Sequence, residues 1–228
     1  MKYKKIIDKY DKNKYIQEQD NYIIAQGGDG TLLKAIKLFK NKNKPFFGIA
    51  AGTKNFLMNS ETKIDKNAKY KTFNLIKIKI WYKKDGKRKQ KTVQGFNDIA
   101  IGGEDSLAAW IHFDVKEKDK FMGKFYGGGL IISTPQGSTA VNKNNHGVVL
   151  PLSSKSWSIT GDKTEKKINY VIKPHTIKIK LKSRNKIIVW VDGTNHIIQD
   201  VYKVKITEGD KVKVIFNNYK KFKKKRRK

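Results

Sequence analysis

The sequence predicts an α/β N-terminal domain built on a parallel sheet, followed by a β-rich, sandwich-like C-terminal domain. Three observations carry that reading. Residues 22–26 (YIIAQ), 31–40 and 46–50 read as strand, helix and strand within about 30 residues, which is the βαβ unit of a parallel pair. From Thr72 the apolar period changes to two. Short apolar runs then recur at close spacing to Phe216, as in layered β domains.

The elements follow in order. The first strand ends in Gly27-Gly28. The helix after it carries Leu32, Ile36 and Phe39 at helical spacing, residues 41–44 form a polar turn, and Pro45 stops continuation of the helix. Residues 46–50 are the second strand. Residues 61–71 (ETKIDKNAKYK) are the polar stretch at which the domains divide, giving 1–66 (joined by 215–219) and 67–214. In 73–82 lysines alternate with Ile76, Ile78 and Ile80, and Lys84-Asp85-Gly86 is a hairpin signal. Strands are expected at 97–101, 107–115, 121–126, 130–133, 176–182, 186–191, 201–206 and 211–216.

Composition narrows the class. The chain has 228 residues, 51 Lys plus Arg against 20 Asp plus Glu, and a net charge of +31. Cysteine is absent, which excludes disulfides, thiolate zinc sites and cysteine nucleophiles. No apolar run approaches the roughly 20 residues that cross a bilayer, and the basic N-terminus lacks a signal-like apolar core. The expectation is a cytoplasmic protein that does not enter a membrane. Lysine, asparagine and isoleucine are raised together and the lysines are scattered, so the charge reflects biased coding more than one binding stripe. The exception is the tail, Lys220 to Lys228, eight of whose nine residues are basic. It is expected to be solvated and disordered, and is a candidate for nonspecific nucleic-acid contact.

Four segments carry chemistry. Gly27-Gly28-Asp29-Gly30-Thr31 lies between strand and helix, where backbone N–H groups and the helix dipole favour phosphate. The alternative is a tight βα turn with Asp29 as N-cap. Residues 48–59 (GIAAGTKNFLMN) follow the next parallel strand and emerge at the same sheet edge, which makes a ligand crevice or a plain connector. Asn97-Asp98 opens an apolar strand and can hold a pair of sugar hydroxyls, or simply start the strand. Residues 127–147 carry STPQGSTA, with hydroxyls where a strand turns. Of the histidines, His112, His175 and His196 read as structural, and His146 follows the hydroxyl-rich loop.

Taken together, GGDGT, the glycine loop ending in NFL, the Asn-acid pair, STPQGSTA and a late Asp192-Gly193 resemble the NAD kinase family, in the family's order and over residues 22–192. The resemblance implies transfer of the γ-phosphoryl group of ATP, or of a polyphosphate phosphoryl, to the 2′-hydroxyl of the adenosine ribose of NAD. It implies a divalent metal, Mg²⁺, and a homo-oligomer, dimer or tetramer. Asp29 matches the family's catalytic aspartate, and Gly28, Gly30 and Thr31 its phosphate loop. Phe56 matches the aromatic of the adenine pocket. Asn97 and Asp98 match the Asn-Glu pair on the NAD hydroxyls, with a shorter acid. Thr139, Ala140 and Asp192 match positions at the dinucleotide.

There are departures. Gly127-Gly128-Gly129 replaces a Gly-Asp-Gly, Val141 replaces a tyrosine, and Lys54-Asn55 alters the second loop. The segment after Pro151 lacks the expected His and Ser pattern. A lipid kinase of the diacylglycerol type shares GGDGT, but STPQGSTA and the lack of a membrane-seeking face argue against it. A noncatalytic NAD(P)- or nucleic-acid-binding protein is the other alternative.

Overall fold

The computed structural model describes residues 5–53, 55–103, 111–118, 120–183, 186–198 and 200–219, with the backbone alone for 194–197. Lys54, the first residues of the strand expected at 107–115, the His196 side chain and the basic tail lie outside the described residues. The chain divides into two compact units: the residues up to Asn74 together with those from Lys211 on, and Leu75–Asp210. The sequence placed the division at 66/67.

In the first unit, β1 (Lys5–Ile7), β2 (Tyr15–Glu18) and β3 (Ile23–Gly27) form an antiparallel run. α1 (Asp29–Phe39) and a 3-10 turn (Lys40–Lys42) lead to β4 (Phe46–Ala50), which pairs in parallel with β3. Leu32, Ala35, Ile36 and Phe39, at i, i+3, i+4 and i+7, are buried, so one stripe of α1 seals against β3 and β4. Asn43 takes a left-handed conformation (φ 54°) just before Pro45, which ends the helical path. β4 is buried along Phe46–Ile49, as a strand covered on both faces must be. Its other neighbour is the end of a long final strand, paired in parallel at Val214 and Ile215. Phe47, Ile49 and Ile215 form a core there with Tyr22, Ile24 and Ala68.

The second unit is almost all strand: β5 (Lys69–Lys84), β6 (Lys87–Gly95), β7 (Asp98–Gly103), β8 (Ile111–Glu117) and β9 (Lys120–Ser133). After the short α2 (Val141–Asn144) come β10 (Trp157–Thr164), β11 (Asn169–Ile172), β12 (Ile177–Lys182), β13 (Ile187–Val191), β14 (Thr194–Ile198) and β15 (Val201–Phe216). β5 and β15 each continue across the division of the chain. β15, β12, β8, β9, β7, β13 and β14 are neighbours in that order. One core is shared by these strands with β5 and β10, from Ile76, Ile78 and Ile80 through Phe113, Ile132 and Trp157 to Ile206.

Several expectations are corrected. Residues 121–126 and 130–133 belong to one strand, β9, which runs through Gly127–Gly129. The glycines pass close to other backbone: a Cβ on Gly127 would lie 2.6 Å from the Thr164 Cα, and one on Gly129 2.7 Å from the Ile101 carbonyl oxygen. β15 likewise joins the strands expected at 201–206 and 211–216. β1, β2, β10, β11 and β14 were not foreseen. In β5 the buried phase slips between Leu75 and Ile76, both buried, so the alternation read from sequence changes face there. No helix among the described residues is long and apolar enough to cross a membrane.

Candidate functional site

The glycine loop sits where β3 passes into α1. Gly28, not Asp29, is the N-cap, and no side chain caps the helix. Asp29 is the first helical residue, and its half-buried carboxylate reaches away from its own helix. Its two oxygens accept the backbone N–H groups of Phe56 (3.0 Å) and Leu57 (2.9 Å). The capping alternative is therefore overturned: Asp29 clamps the loop after β4. Ala51 N–H donates to the Gly27 carbonyl at 2.8 Å, completing the tie between the two loops. Gly27 has φ 151°, and a Cβ there would overlap the Thr31 hydroxyl at 2.2 Å, so only glycine fits. Beside Gly30, its own chain neighbours and helix backbone apart, no described atom lies within 4 Å of a notional Cβ. The loop is thus closed on the Gly27 side and open on the Gly30 side. Thr31 is half-buried and Phe56 is 37% exposed.

The loop after β4 ends on a residue that sequence reasoning missed. Asn59 is buried; its amide donates to the carbonyls of Gly48 and Ile215, and its oxygen accepts Asn217 N–H. It staples the loop to β4 and β15. Its place at the end of a Gly-rich loop gave no sign of that role.

In the second unit Asn97 and Asp98 open β7. Asp192 lies in the turn after β13, in a left-handed conformation (φ 52°). Its carboxylate accepts the N–H groups of Phe96 (2.6 Å), Asn97 (2.6 Å) and Asp98 (3.3 Å). The structure thus brings Asn97, Asp98 and Asp192 together. Asp98 is 4% exposed, and burial pushes its carboxyl up to about 7, with the nearby Asp192 charge adding to the effect. One Asp98 oxygen and the Asn97 side-chain oxygen are buried without a hydrogen-bond partner. Buried polar atoms in folded proteins are almost always paired. Each of these orphaned oxygens is a position that a hydroxyl of a bound sugar would satisfy.

The STPQGSTA segment follows β9. Most of its polar groups serve the loop itself. Thr134 Oγ1 donates to the Phe96 and Asn97 carbonyls, 2.8 Å each, and Gln136 donates to the Phe96 carbonyl at 2.8 Å. Ser138 Oγ donates to the Pro135 carbonyl and accepts Leu150 N–H. The hydroxyls expected where the strand turns are there, and those of Thr134 and Ser138 are bonded within the protein. Thr139 and Ala140 are half-buried, and Ala140 is the N-cap of α2. His146 is exposed with φ 59°, and His112 stacks on Tyr126 at 4.4 Å between ring centroids.

Among the described residues no three His, Cys, Asp or Glu side chains come together as a cation site. Both Asp29 oxygens already carry backbone donors. The described residues do not form a protein-made metal cage.

Comparison with known proteins bears on this arrangement. Residues 3–75 match the ATP-NAD kinase N-terminal domain, and residues 97–222 the ATP-NAD kinase C-terminal domain. An NAD kinase of Fusobacterium nucleatum is 34% identical over 150 residues, 62% of this chain and 54% of its own length. One from Xylella fastidiosa is 26% identical over 203 residues, 86% of this chain and 78% of its own. The chain thus spans about half the length of the Fusobacterium relative. Among solved structures, yeast NADH kinase complexed with NADH gives a TM-score of 0.75 at 20% identity, covering 86% of this chain and 62% of the other. An NAD kinase from Archaeoglobus fulgidus in complex with ATP gives 0.71 at 18% identity, covering 89% and 79%. The expected fold class, an α/β domain followed by a β-rich one, is the fold of these kinases. With both domain matches in order, and the second alone spanning more than half of the sequence, the chain belongs to the ATP-NAD kinase family.

Proposed function

We propose that the chain is an NAD kinase that transfers the γ-phosphoryl group of ATP, or a phosphoryl of polyphosphate, to the 2′-hydroxyl of the adenosine ribose of NAD, yielding NADP. The observation that carries this is the Asp29 carboxylate, fixed at the mouth of an open glycine loop by the N–H groups of Phe56 and Leu57. A carboxylate held that way can orient a hydroxyl and take its proton as the oxygen attacks phosphorus. The bond to the bridging oxygen breaks as the new ester bond forms, and ADP leaves with the electron pair.

Gly28, Gly30 and Thr31 are proposed to hold the donor's phosphates, where a group can approach Gly30 without meeting a Cβ. Phe56, 37% exposed, offers a ring for the adenine. Asn97 and Asp98 are proposed to bind NAD hydroxyls through their orphaned oxygens, with Asp192 fixing the backbone that carries them. Thr139 and Ala140 are proposed as further dinucleotide contacts. Mg²⁺ is the proposed metal; lacking a cage among the described residues, it would be carried on phosphate oxygens of the donor. We further propose residues 1–66 with 215–219 as the phosphate-binding domain and 67–214 as the dinucleotide-binding domain. A homo-oligomer, a cytoplasmic location and a nucleic-acid-binding tail at Lys220–Lys228 complete the reading.

The test is direct. Purified protein incubated with NAD, Mg²⁺ and either ATP or polyphosphate should form NADP, detected with an NADP-specific dehydrogenase. Asp29→Asn should not do so at a comparable rate. Absence of NADP with both donors from folded protein would overturn the proposal.

A further inference from the structure

The hairpin of β5 and β6 folds a dense local run of charge back on itself. Residues 83–91 read KKDGKRKQK, six cations and one acid. Pairing sets Lys84 directly opposite Lys87, and Lys83 opposite Arg88. Like charges facing each other across an antiparallel pair destabilise it. Among the described residues, Lys83, Lys84, Lys87, Arg88 and Lys89 make no ion pair that would offset this. Asp85 sits in the turn itself, at φ 53°. β6 pairs only with β5 among the described strands, and its residues 87–92 are exposed, so the ribbon's outer edge and both faces of its tip are open. The positive face does not stop at the tip. Lys79, Trp81 and Lys83 alternate onto one face of β5, and Lys203 of β15 joins Lys79 over the Trp81 ring, 4.7 and 5.2 Å from its centroid.

We propose that the β5–β6 ribbon is a docking surface for the phosphate backbone of nucleic acid. A ribbon that keeps like charges opposed is relieved by an anion laid along it. A single small anion would meet one pair, whereas a regular polyanion meets the whole row. A two-stranded ribbon also has the width that the major groove of duplex DNA admits. Each cation that reaches a phosphate releases counterions, so the contact is salt-dependent and indifferent to sequence.

The experiment uses the full chain, tail included, and a labelled 20-base-pair duplex titrated from about 50 to 200 mM salt. The ribbon variant carries Lys83→Gln, Lys84→Gln, Lys87→Gln and Arg88→Gln. A control removes the same charge from dispersed exposed sites, with Lys66→Gln, Lys116→Gln, Lys166→Gln and Lys173→Gln. The ribbon variant should lose about tenfold or more in affinity, with the log–log salt slope flattened by about 2–4, while the control changes much less. A single Lys84→Glu guards against misfolding: it turns the opposed pair into an attractive one, so its Tm should rise or hold while duplex affinity falls. Equal losses in ribbon and control variants would overturn the proposal, because net charge alone would then explain binding. Unchanged duplex binding with lost adhesion to phosphatidylserine vesicles would also overturn it, in favour of a lipid surface.

Discussion

Asp29 and Asp98 are both acids at the start of an element, and they are held in opposite ways. Asp29, half-buried at the first turn of α1, has each oxygen bonded to a backbone N–H of another loop. Asp98, at the start of β7, is 4% exposed, keeps one oxygen unpaired and has its carboxyl raised to about 7. The first is a fixed carboxylate with its geometry set before any ligand arrives. The second is a group whose charge depends on pH and on what is brought to it. Asp192, satisfied by three backbone donors, belongs with Asp29 in design while adding to the pressure on Asp98. Position in the fold, more than residue type, separates an anchored acid from a responsive one.

The sharpest way to break that contrast is Asp29→Asn. If Asp29 takes the proton, kcat should fall by roughly 10²–10⁴, with a much smaller change in KM for NAD. Both native oxygens accept an N–H, so the Asn amide would face one of those donors. The variant should therefore also lose about 1–3 kcal/mol of stability in urea titration. Wild-type turnover in folded Asp29→Asn would remove Asp29 from the chemistry.

A second test addresses the responsive acid. A carboxyl raised to about 7 binds its proton more tightly folded than unfolded, so its contribution is complete below about pH 4 and is lost as pH climbs to 7 and above. Unfolding free energy should fall by roughly 2–4 kcal/mol across that window from this group. Asp98→Asn should abolish that part of the slope; an unchanged slope would assign it elsewhere.

Asp192→Asn sharpens the link between the two kinds. Asn tolerates the left-handed backbone, yet its single oxygen cannot replace both carboxylate oxygens. We expect a loss of about 1–3 kcal/mol at low pH, where Asp98 is neutral in both proteins. The Asp98 titration should move down, because a neighbouring charge is gone. Its midpoint can be followed by carboxyl NMR.

The smallest effect concerns the departures from the family pattern. Val141 is 41% exposed, and Val141→Tyr should change stability by less than about 0.5 kcal/mol. If the ring reaches the dinucleotide, KM for NAD falls with kcat unchanged. Gly128→Asp is not its equal: a Cβ would lie 3.2 Å from the Asp162 carbonyl oxygen and 3.8 Å from its carboxylate. Replacing the missing acid there sets two carboxylates together, so stability should fall.

These contrasts were only partly written in the sequence. The βαβ unit was legible because Leu32, Ile36 and Phe39 repeat at helical spacing between two apolar runs. Asp29's carboxylate could not be traced to Phe56 and Leu57, because a bond spanning 27 residues leaves no local pattern. The pairing of Asp192 with residues 96–98 was invisible for the same reason. β1 and β2 were missed because their residues are mixed polar and short. β9 was split because glycine normally interrupts a strand. Here it admits a neighbouring backbone instead.

Gly137 carries a consequence of its own. A Cβ there would fall 2.1 Å from the Asn97 carbonyl oxygen, so two stretches of main chain are pressed directly together. The Thr134 N–H, the Thr134 hydroxyl and the Gln136 amide all land on the carbonyls of Phe96 and Asn97. The hydroxyl-rich turn and the start of β7 therefore behave as one rigid joint, without a hinge between them. In hydrogen exchange the Thr134 and Gly137 amides should open with β7 as a single cooperative block. A strain placed on Asn97 would then be felt at Thr139 as displacement of a solid piece, with no chain of rotamer changes to carry it.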